Sequence, residues 1–213
     1  MFIIVDGPSA SGKDSIIKQL VLDLTTAGRN VVAFEETKET TYDRKKILAA
    51  KKCGDEAVAQ AIISEREKLY LQKVTPCHKP KTIIIANRGE PSTLAYQTVK
   101  NEMSMEDVWQ IHRKHGITLP DLVVITNCSP EEAARREKAR GDSVHEKDST
   151  SLSGKFTLSL ENSLEKRRKI HEQYEMVVDF LTKKGIHVLY INTDTMNIIQ
   201  ESNAILEVVK TIV

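Results

Sequence analysis

The 213-residue sequence is poor in the features that mark several large classes of protein. It holds only three cysteines, Cys53, Cys77 and Cys128, too few and too far apart for a disulfide framework or a zinc-ligand pattern. They read as packing thiols of a chain that works in a reducing compartment. Neither sign of charge is in excess: 31 Lys and Arg against 30 Asp and Glu give +1, which argues against a general surface for nucleic acid or an anionic membrane. No apolar run approaches the roughly 20 residues of a membrane span. The chain opens directly on an apolar strand without a basic leader, which predicts no secretion signal and a cytoplasmic location. Internal repeats and low-complexity tracts are absent. What remains, 40% hydrophobic and 29% charged, is the composition of one globular domain spanning residues 1–213.

The informative stretch is the first. Phe2 to Asp6 reads as a short strand, and Ile16, Ile17, Leu20 and Leu24 carry helical spacing. Between them Gly7-Pro8-Ser9-Ala10-Ser11-Gly12-Lys13 fits G-x-x-x-x-G-K, the phosphate-binding loop. Small side chains let backbone N–H groups converge on a polyphosphate, and the following helix N-terminus adds partial positive charge. Gly7, Ser9, Ala10, Ser11, Gly12 and Lys13 are therefore expected to hold a nucleoside triphosphate, with Lys13 on its outer phosphates. The residue after the lysine is usually Ser or Thr, a Mg²⁺ ligand; here it is Asp14, also a good Mg²⁺ ligand. Ser15 follows and is expected to serve a phosphate oxygen.

Further along, strands are predicted over 30–34, 82–86, 122–126 and 186–191, alternating with helices over 13–27, 55–75, 92–101, 104–115, from Pro130, 157–184 and 196–211. Residues 37–55 read as a loop and a short helix. Alternating strands and helices imply a parallel sheet covered on both faces. Ligands of such sheets gather at the C-terminal ends of the strands. Those ends carry Glu35-Glu36 and the polar run Asn87-Arg88-Gly89-Glu90-Pro91-Ser92. The helix from Pro130 carries Arg135, Arg136 and Arg140, the last two on one face. Residues 141–155 are Ser- and Gly-rich without periodicity and read as a lid, with Lys147 and Lys155 but no arginine. Trp109 and Tyr70 read as packing residues. His112 and His115 lack a third ligand and read as surface residues rather than a metal site.

Phosphoryl transfer needs a phosphate cradle, a metal, cations around the moving group and a closing element that excludes water. The chain offers all four, and in an order that resembles the thymidylate kinase family of nucleoside monophosphate kinases. The resemblance rests on the N-terminal phosphate loop and on Asn87-Arg88 followed by Ser92-Thr93-Leu94-Ala95-Tyr96-Gln97. Pro120-Asp121-Leu122 and Arg135-Arg136-x-x-x-Arg140-Gly141 add to it. It implies a P-loop NTPase-type three-layer α/β/α fold with a five-stranded parallel sheet of order 2-3-1-4-5. It also implies transfer of the γ-phosphoryl of ATP, with Mg²⁺, to a nucleoside monophosphate such as dTMP. Catalytic roles would fall to Lys13, Arg88 and Arg136. Arg136 and Arg140 would lie by the donor, and Asp14 by the metal. The acceptor would meet Glu36, Ile62, Arg66, Arg88, Ser92, Tyr96 and Gln97: Arg88 at its phosphate, Arg66 and Gln97 at its base, Tyr96 against the 2′ position. A homodimer through helices around 57–75 and 92–115 is a family trait.

The chain departs from the family in four places. Ser9 replaces a loop carboxylate, Glu35-Glu36-Thr37-Lys38 replaces Arg-Glu-Pro, Ile62 replaces a stacking aromatic, and Asn87 replaces Asp. Asp14 and Asn87 form a hypothetical exchange, in which the carboxylate has moved to the loop and a neutral amide stands opposite, keeping one negative charge beside Mg²⁺. Independent drift at the two positions is the other reading. Two other functions stay open: a deoxynucleoside kinase using Glu35 or Glu36 as base, and a nucleotide-binding regulatory protein that does not transfer.

Overall fold

In the computed structural model, residues 1–39, 42–77, 79–100, 102–144 and 164–212 are described. Five parallel strands, β1 (Phe2–Asp6), β2 (Asn30–Glu35), β3 (Thr82–Asn87), β4 (Leu122–Asn127) and β5 (Val188–Asn192), pair in the order β2-β3-β1-β4-β5. The helices are α1 (Lys13–Thr26), α2 (Arg44–Ala50), α3 (Asp55–Lys73), α4 (Glu90–Thr98), α5 (Met105–Lys114), α6 (Pro130–Val144), α7 (Leu164–Lys183) and α8 (Ile198–Ile212). The three central strands are buried along their whole length because both sheet faces are covered. Alternate residues of β1 point to opposite sides. Phe2 and Ile4 join Tyr70, Leu94, Trp109 and Tyr174 in the core beneath α3, α4, α5 and α7. Ile3 and Val5 join Ile16, Leu20 and Ile205 beneath α1 and α8. This is the three-layer α/β/α fold and strand order expected.

Register places the functional ends together. Val5 stands beside Asn87, Asn87 beside Glu35, Asp6 beside Ile125, and Asn127 beside Asn192. The phosphate loop, the Arg88 turn, Glu36 and the start of α6 therefore share one edge of the sheet. Helix limits differ from the sequence reading mainly at their ends. Helix α4 begins at Glu90, where Pro91 suits the first turn, rather than at 92. Helix α6 continues to Val144, so residues 141–144, read as lid, extend the helix backbone; one glycine in a helix costs only about 1 kcal/mol. The rest of the expected lid, with Lys147 and Lys155, and the expected helix over 157–163 lie outside the described residues. Among the described residues no helix is long and apolar enough to cross a membrane.

Candidate active site

The phosphate loop is built by steric exclusion. A Cβ on Gly7 would fall 2.1 Å from the Thr126 carbonyl oxygen, and Gly7 has φ +153°. Gly12 has φ +96°, a conformation that suits glycine and that the turn into α1 requires. Ala10 also takes a left-handed φ of +61°. The Ser11 hydroxyl is turned inward to Thr126 Oγ1 at 2.7 Å, so its contribution to a ligand is its backbone. Lys13 is buried and donates from Nζ to the Pro8 carbonyl at 3.0 Å, folded across the loop. Asp14 and Ser15 sit exposed on the first turn of α1.

Opposite Asp14 stands Asn87, at the end of β3. Its Nδ2 donates to Asp14 Oδ1 at 2.9 Å, the pairing the exchange hypothesis requires. Asn87 Oδ1 is buried and has no hydrogen-bond partner among the described residues. Partial desolvation pushes the Asp14 carboxyl up. Lys13, the Asn87 amide, Arg140 and Arg88 outweigh that and hold it below the usual carboxylate range. A carboxylate beside an unclaimed amide oxygen, both near a phosphate cradle, is a donor set that suits Mg²⁺. That ion uses oxygen ligands and completes its shell with water and substrate phosphates. No group of three metal-ligating side chains occurs among the described residues.

Arg136 bridges the phosphate loop and the loop after β5. Its Nε donates to Glu132 at 2.7 Å, Nη1 to Thr193 Oγ1 at 2.8 Å and Nη2 to the Thr193 carbonyl at 2.9 Å. Thr193 Oγ1 in turn donates to the Ser11 carbonyl. Arg136 is thereby fixed to both the phosphate loop and the loop after β5. Arg140, one turn on, is exposed.

On the other side of the Arg88 turn lies a cleft lined by α2, α3 and α4. Glu36, Ile62, Arg66, Arg88, Ser92, Tyr96 and Gln97, seven positions set apart in the sequence, all line it. Arg88 takes a left-handed φ of +75° and donates from Nη1 to Ser92 Oγ at 3.1 Å. Gln97 is buried at 3% exposure, and its amide pairs with no other described residue. Helix α2 and the Lys51 that caps its C-terminus offer one stripe to the cleft, Arg44, Ile47, Leu48 and Lys51, at the i, i+3, i+4, i+7 spacing of a helix face.

Arg66 is fully buried, and each of its three nitrogens already has protein partners. Nε donates to Glu36 Oε2, Nη2 donates to the Gly89 carbonyl and Thr93 Oγ1 and forms an ion pair with Glu36 Oε1 at 3.1 Å, and Nη1 donates to His112 Nε2 at 2.7 Å. His112 is thus a correction to the sequence reading: it is 1% exposed, not superficial. Its Nδ1 donates to the Val108 carbonyl, so Nε2 must be the acceptor. Burial and then the Arg66 charge hold it well below the ordinary histidine range, as neutral imidazole. Burial and then the neighbouring Glu36 charge push the Tyr42 phenol well above its ordinary range. Glu35 pairs with Lys38 and Thr37 and does not line the cleft.

The thymidylate kinase family model matches residues 5–212. The chain belongs to the thymidylate kinase family. Family relatives at similar distance include thymidylate kinases of Bacillus cereus strain B4264 and Bacillus cytotoxicus. The first is 26% identical, covering 91% of this chain and 89% of the relative; the second is 24% identical, covering 97% of each. A crystal structure of thymidylate kinase from Ehrlichia chaffeensis superposes with a TM-score of 0.65 at 18% identity, over 99% of this chain and 98% of that one, and shares the fold.

Within this family site, several residues escaped the sequence reading. Asp6 accepts five hydrogen bonds behind the phosphate loop. A lone acid ending an apolar strand was its available signal. Thr193 was signalled by its place after β5, at the ligand-bearing edge. Thr93 stood within the Ser92–Gln97 motif, though with no role of its own, and Tyr42 and Tyr174 carried no signal, because each acts through partners distant in sequence.

Proposed function

We propose that this chain transfers the γ-phosphoryl of ATP to the phosphate of a deoxynucleoside monophosphate, dTMP by kinship with its named relatives. The observation that carries the reading is the charge of the acceptor cleft. Arg88 and Arg44 line it, whereas each of the two glutamates that could serve a nucleoside kinase as base is engaged, Glu36 in a buried pair with Arg66 and Glu35 with Lys38. A dianionic phosphate suits such a wall; a neutral sugar hydroxyl does not.

In this reading the loop over 7–13 and Lys13 hold the donor phosphates, and Arg136 sits beside the donor, held by Thr193. Asp14 and Asn87 would hold Mg²⁺, whose charge would offset that of the outer phosphates when bound. Arg88 holds the acceptor phosphate in line. An acceptor oxygen forms a bond to the γ-phosphorus while the bond to the β–γ bridging oxygen breaks, leaving ADP. Gln97 reads the base edge, and Tyr96 stands against the 2′ position. Arg66, turned to protein acceptors, serves as the floor of the cleft. Pairing of two chains through α3, α4 and α5, where Leu71 is 61% exposed, is the corresponding proposal for a homodimer.

The test is incubation with γ-labelled ATP and Mg²⁺ against deoxy and ribo forms of nucleoside monophosphates and free nucleosides. Label in dTDP or another diphosphate supports the reading and names the base. Label in a nucleoside monophosphate overturns it in favour of nucleoside kinase, and ATP binding with no product from any acceptor overturns it in favour of a regulatory protein.

A further inference from the structure

Asp6 has no direct part in the chemistry above, yet it is the most heavily bonded carboxylate behind the site. It is 0% exposed, with no ion-pair partner among the described residues. Oδ1 accepts from the Gly7 amide at 2.7 Å, the Ser92 hydroxyl at 2.7 Å and the Tyr174 hydroxyl at 2.9 Å. Oδ2 accepts from the Gly89 and Ser92 amides at 3.0 and 2.9 Å. Neutral donors alone therefore satisfy a buried charge, which requires each of them to stay in place. Two of these donors belong to Ser92, whose Oγ also accepts from Arg88 Nη1. Once the Ser92 proton is committed to Asp6, a lone pair of the same oxygen is left facing the guanidinium.

Tyr174 lies far along the chain, on α7, and is itself 0% exposed. Its hydroxyl stands 3.2 Å from Ser92 Oγ, and its ring meets the Tyr96 ring edge to face, with centroids 6.2 Å apart at 85°. One side chain thus touches both Ser92, the support of the phosphate-facing arginine, and the sugar-facing Tyr96 itself. The same helix is tied to α6 by ion pairs of Arg167 with Glu137 and Arg168 with Glu131.

We propose that Asp6 and Tyr174 are positioning residues of the acceptor subsite, setting the Arg88 guanidinium through the Ser92 hydroxyl while the Tyr174 ring backs Tyr96. The proposal rests on the acceptor role given to Arg88 above.

The test varies dTMP and ATP separately in steady-state kinetics. Tyr174→Phe keeps the ring and removes one hydrogen bond to a buried carboxylate, so KM for dTMP should rise about tenfold with KM for ATP nearly unchanged, while the melting temperature falls by roughly 2–4 °C for each kcal/mol lost. Ser92→Ala should give a similar rise, and adding Tyr174→Phe to it should change KM by less than about twofold, because the relay is already cut. Tyr174→Leu should in addition weaken preference for deoxy over ribo acceptors. Asp6→Asn should act as Tyr174→Phe does; if it fails to fold, the other variants decide. Equal rises in both KM values, or independent effects of Tyr174→Phe and Ser92→Ala, overturn the proposal. If the wild type phosphorylates no monophosphate, the functional reading falls instead. The relay is then judged by crystal structures of wild type and Tyr174→Phe: Arg88 displaced from Ser92 supports it, and Arg88 unmoved overturns it.

Discussion

Exchanging Asp14 and Asn87 tests how the site arranges its charge. Replacing Asn87 by Asp would set two carboxylates about 3 Å apart, judged from the present Nδ2–Oδ1 distance of 2.9 Å. Their repulsion would be on the order of 5 kcal/mol at an effective dielectric of 20 and about 1.4 kcal/mol in water. Asp14 is open to solvent, so the lower part of that range applies, about 1.5–3 kcal/mol, or roughly a 10- to 100-fold loss in kcat/KM. Asp14→Ser removes the one carboxylate of the pair and should cost about 100-fold, with half-saturation by Mg²⁺ rising about tenfold. The double variant Asp14→Ser, Asn87→Asp keeps one negative charge with the partners reversed. It should recover to within about tenfold of wild type. The assay is ADP release with ATP and dTMP at graded Mg²⁺, together with calorimetric titration of ADP with and without Mg²⁺. A double variant as poor as the product of the two single losses refutes the exchange and leaves independent drift.

Three further outcomes follow from the buried groups. Burial raises the Glu90 carboxyl to about 7; Arg66 opposes this, while Glu36 and Asp6 add to it. The native state then holds a proton that the unfolded chain releases near 4.5, so stability should fall as pH rises from about 4.5 to about 7. Glu90→Gln should flatten that decline and raise the melting temperature at about pH 8; an unchanged pH profile counts against it. His112→Phe removes the acceptor for Arg66 Nη1 and should cost about 1–3 kcal/mol in urea unfolding, whereas no loss would mean that Arg66 is satisfied elsewhere. Gly7→Ala should abolish ATP binding or folding because of the Thr126 carbonyl. Gly28→Ala, with φ +74° and open space around it, should cost only about 1 kcal/mol, and similar losses at the two positions would undo the steric account.

The fold was legible because its signals are local and agree with one another. Apolar runs too short for helices, Gly28 and Gly185 after helices, and Pro130 at a first turn each mark an element without reference to the rest of the chain. The phosphate loop was legible for the same reason: its spacing is contiguous. The acceptor wall came from resemblance, and the structure gathers its seven positions in one cleft. The buried network was not legible. His112 lies 46 positions from Arg66, and nothing near His112 announces that its ring will be an acceptor for a guanidinium. Asp6 and Tyr174, 168 positions apart, meet only because β1 and α7 pack on the same side of the sheet. Polar residues inside a core are set by partners, and partners are a property of topology rather than of spacing.

Helix α2 has seven residues, none of them buried, although it forms a wall of the cleft proposed for the acceptor. Its first turn is pinned to α3 mainly through Glu65, which accepts from the Asp43 amide and from Lys46. So little apolar anchorage gives this wall a small free energy of local opening, well below that of the strands. Amides of residues 45–50 should therefore exchange with solvent far faster than those of α3, and should slow when an acceptor fills the cleft. Ordering that wall would draw on acceptor binding energy. The price would fall on every acceptor alike, so one that touches α2 poorly would bind weakly even where Arg88 and Gln97 suit it.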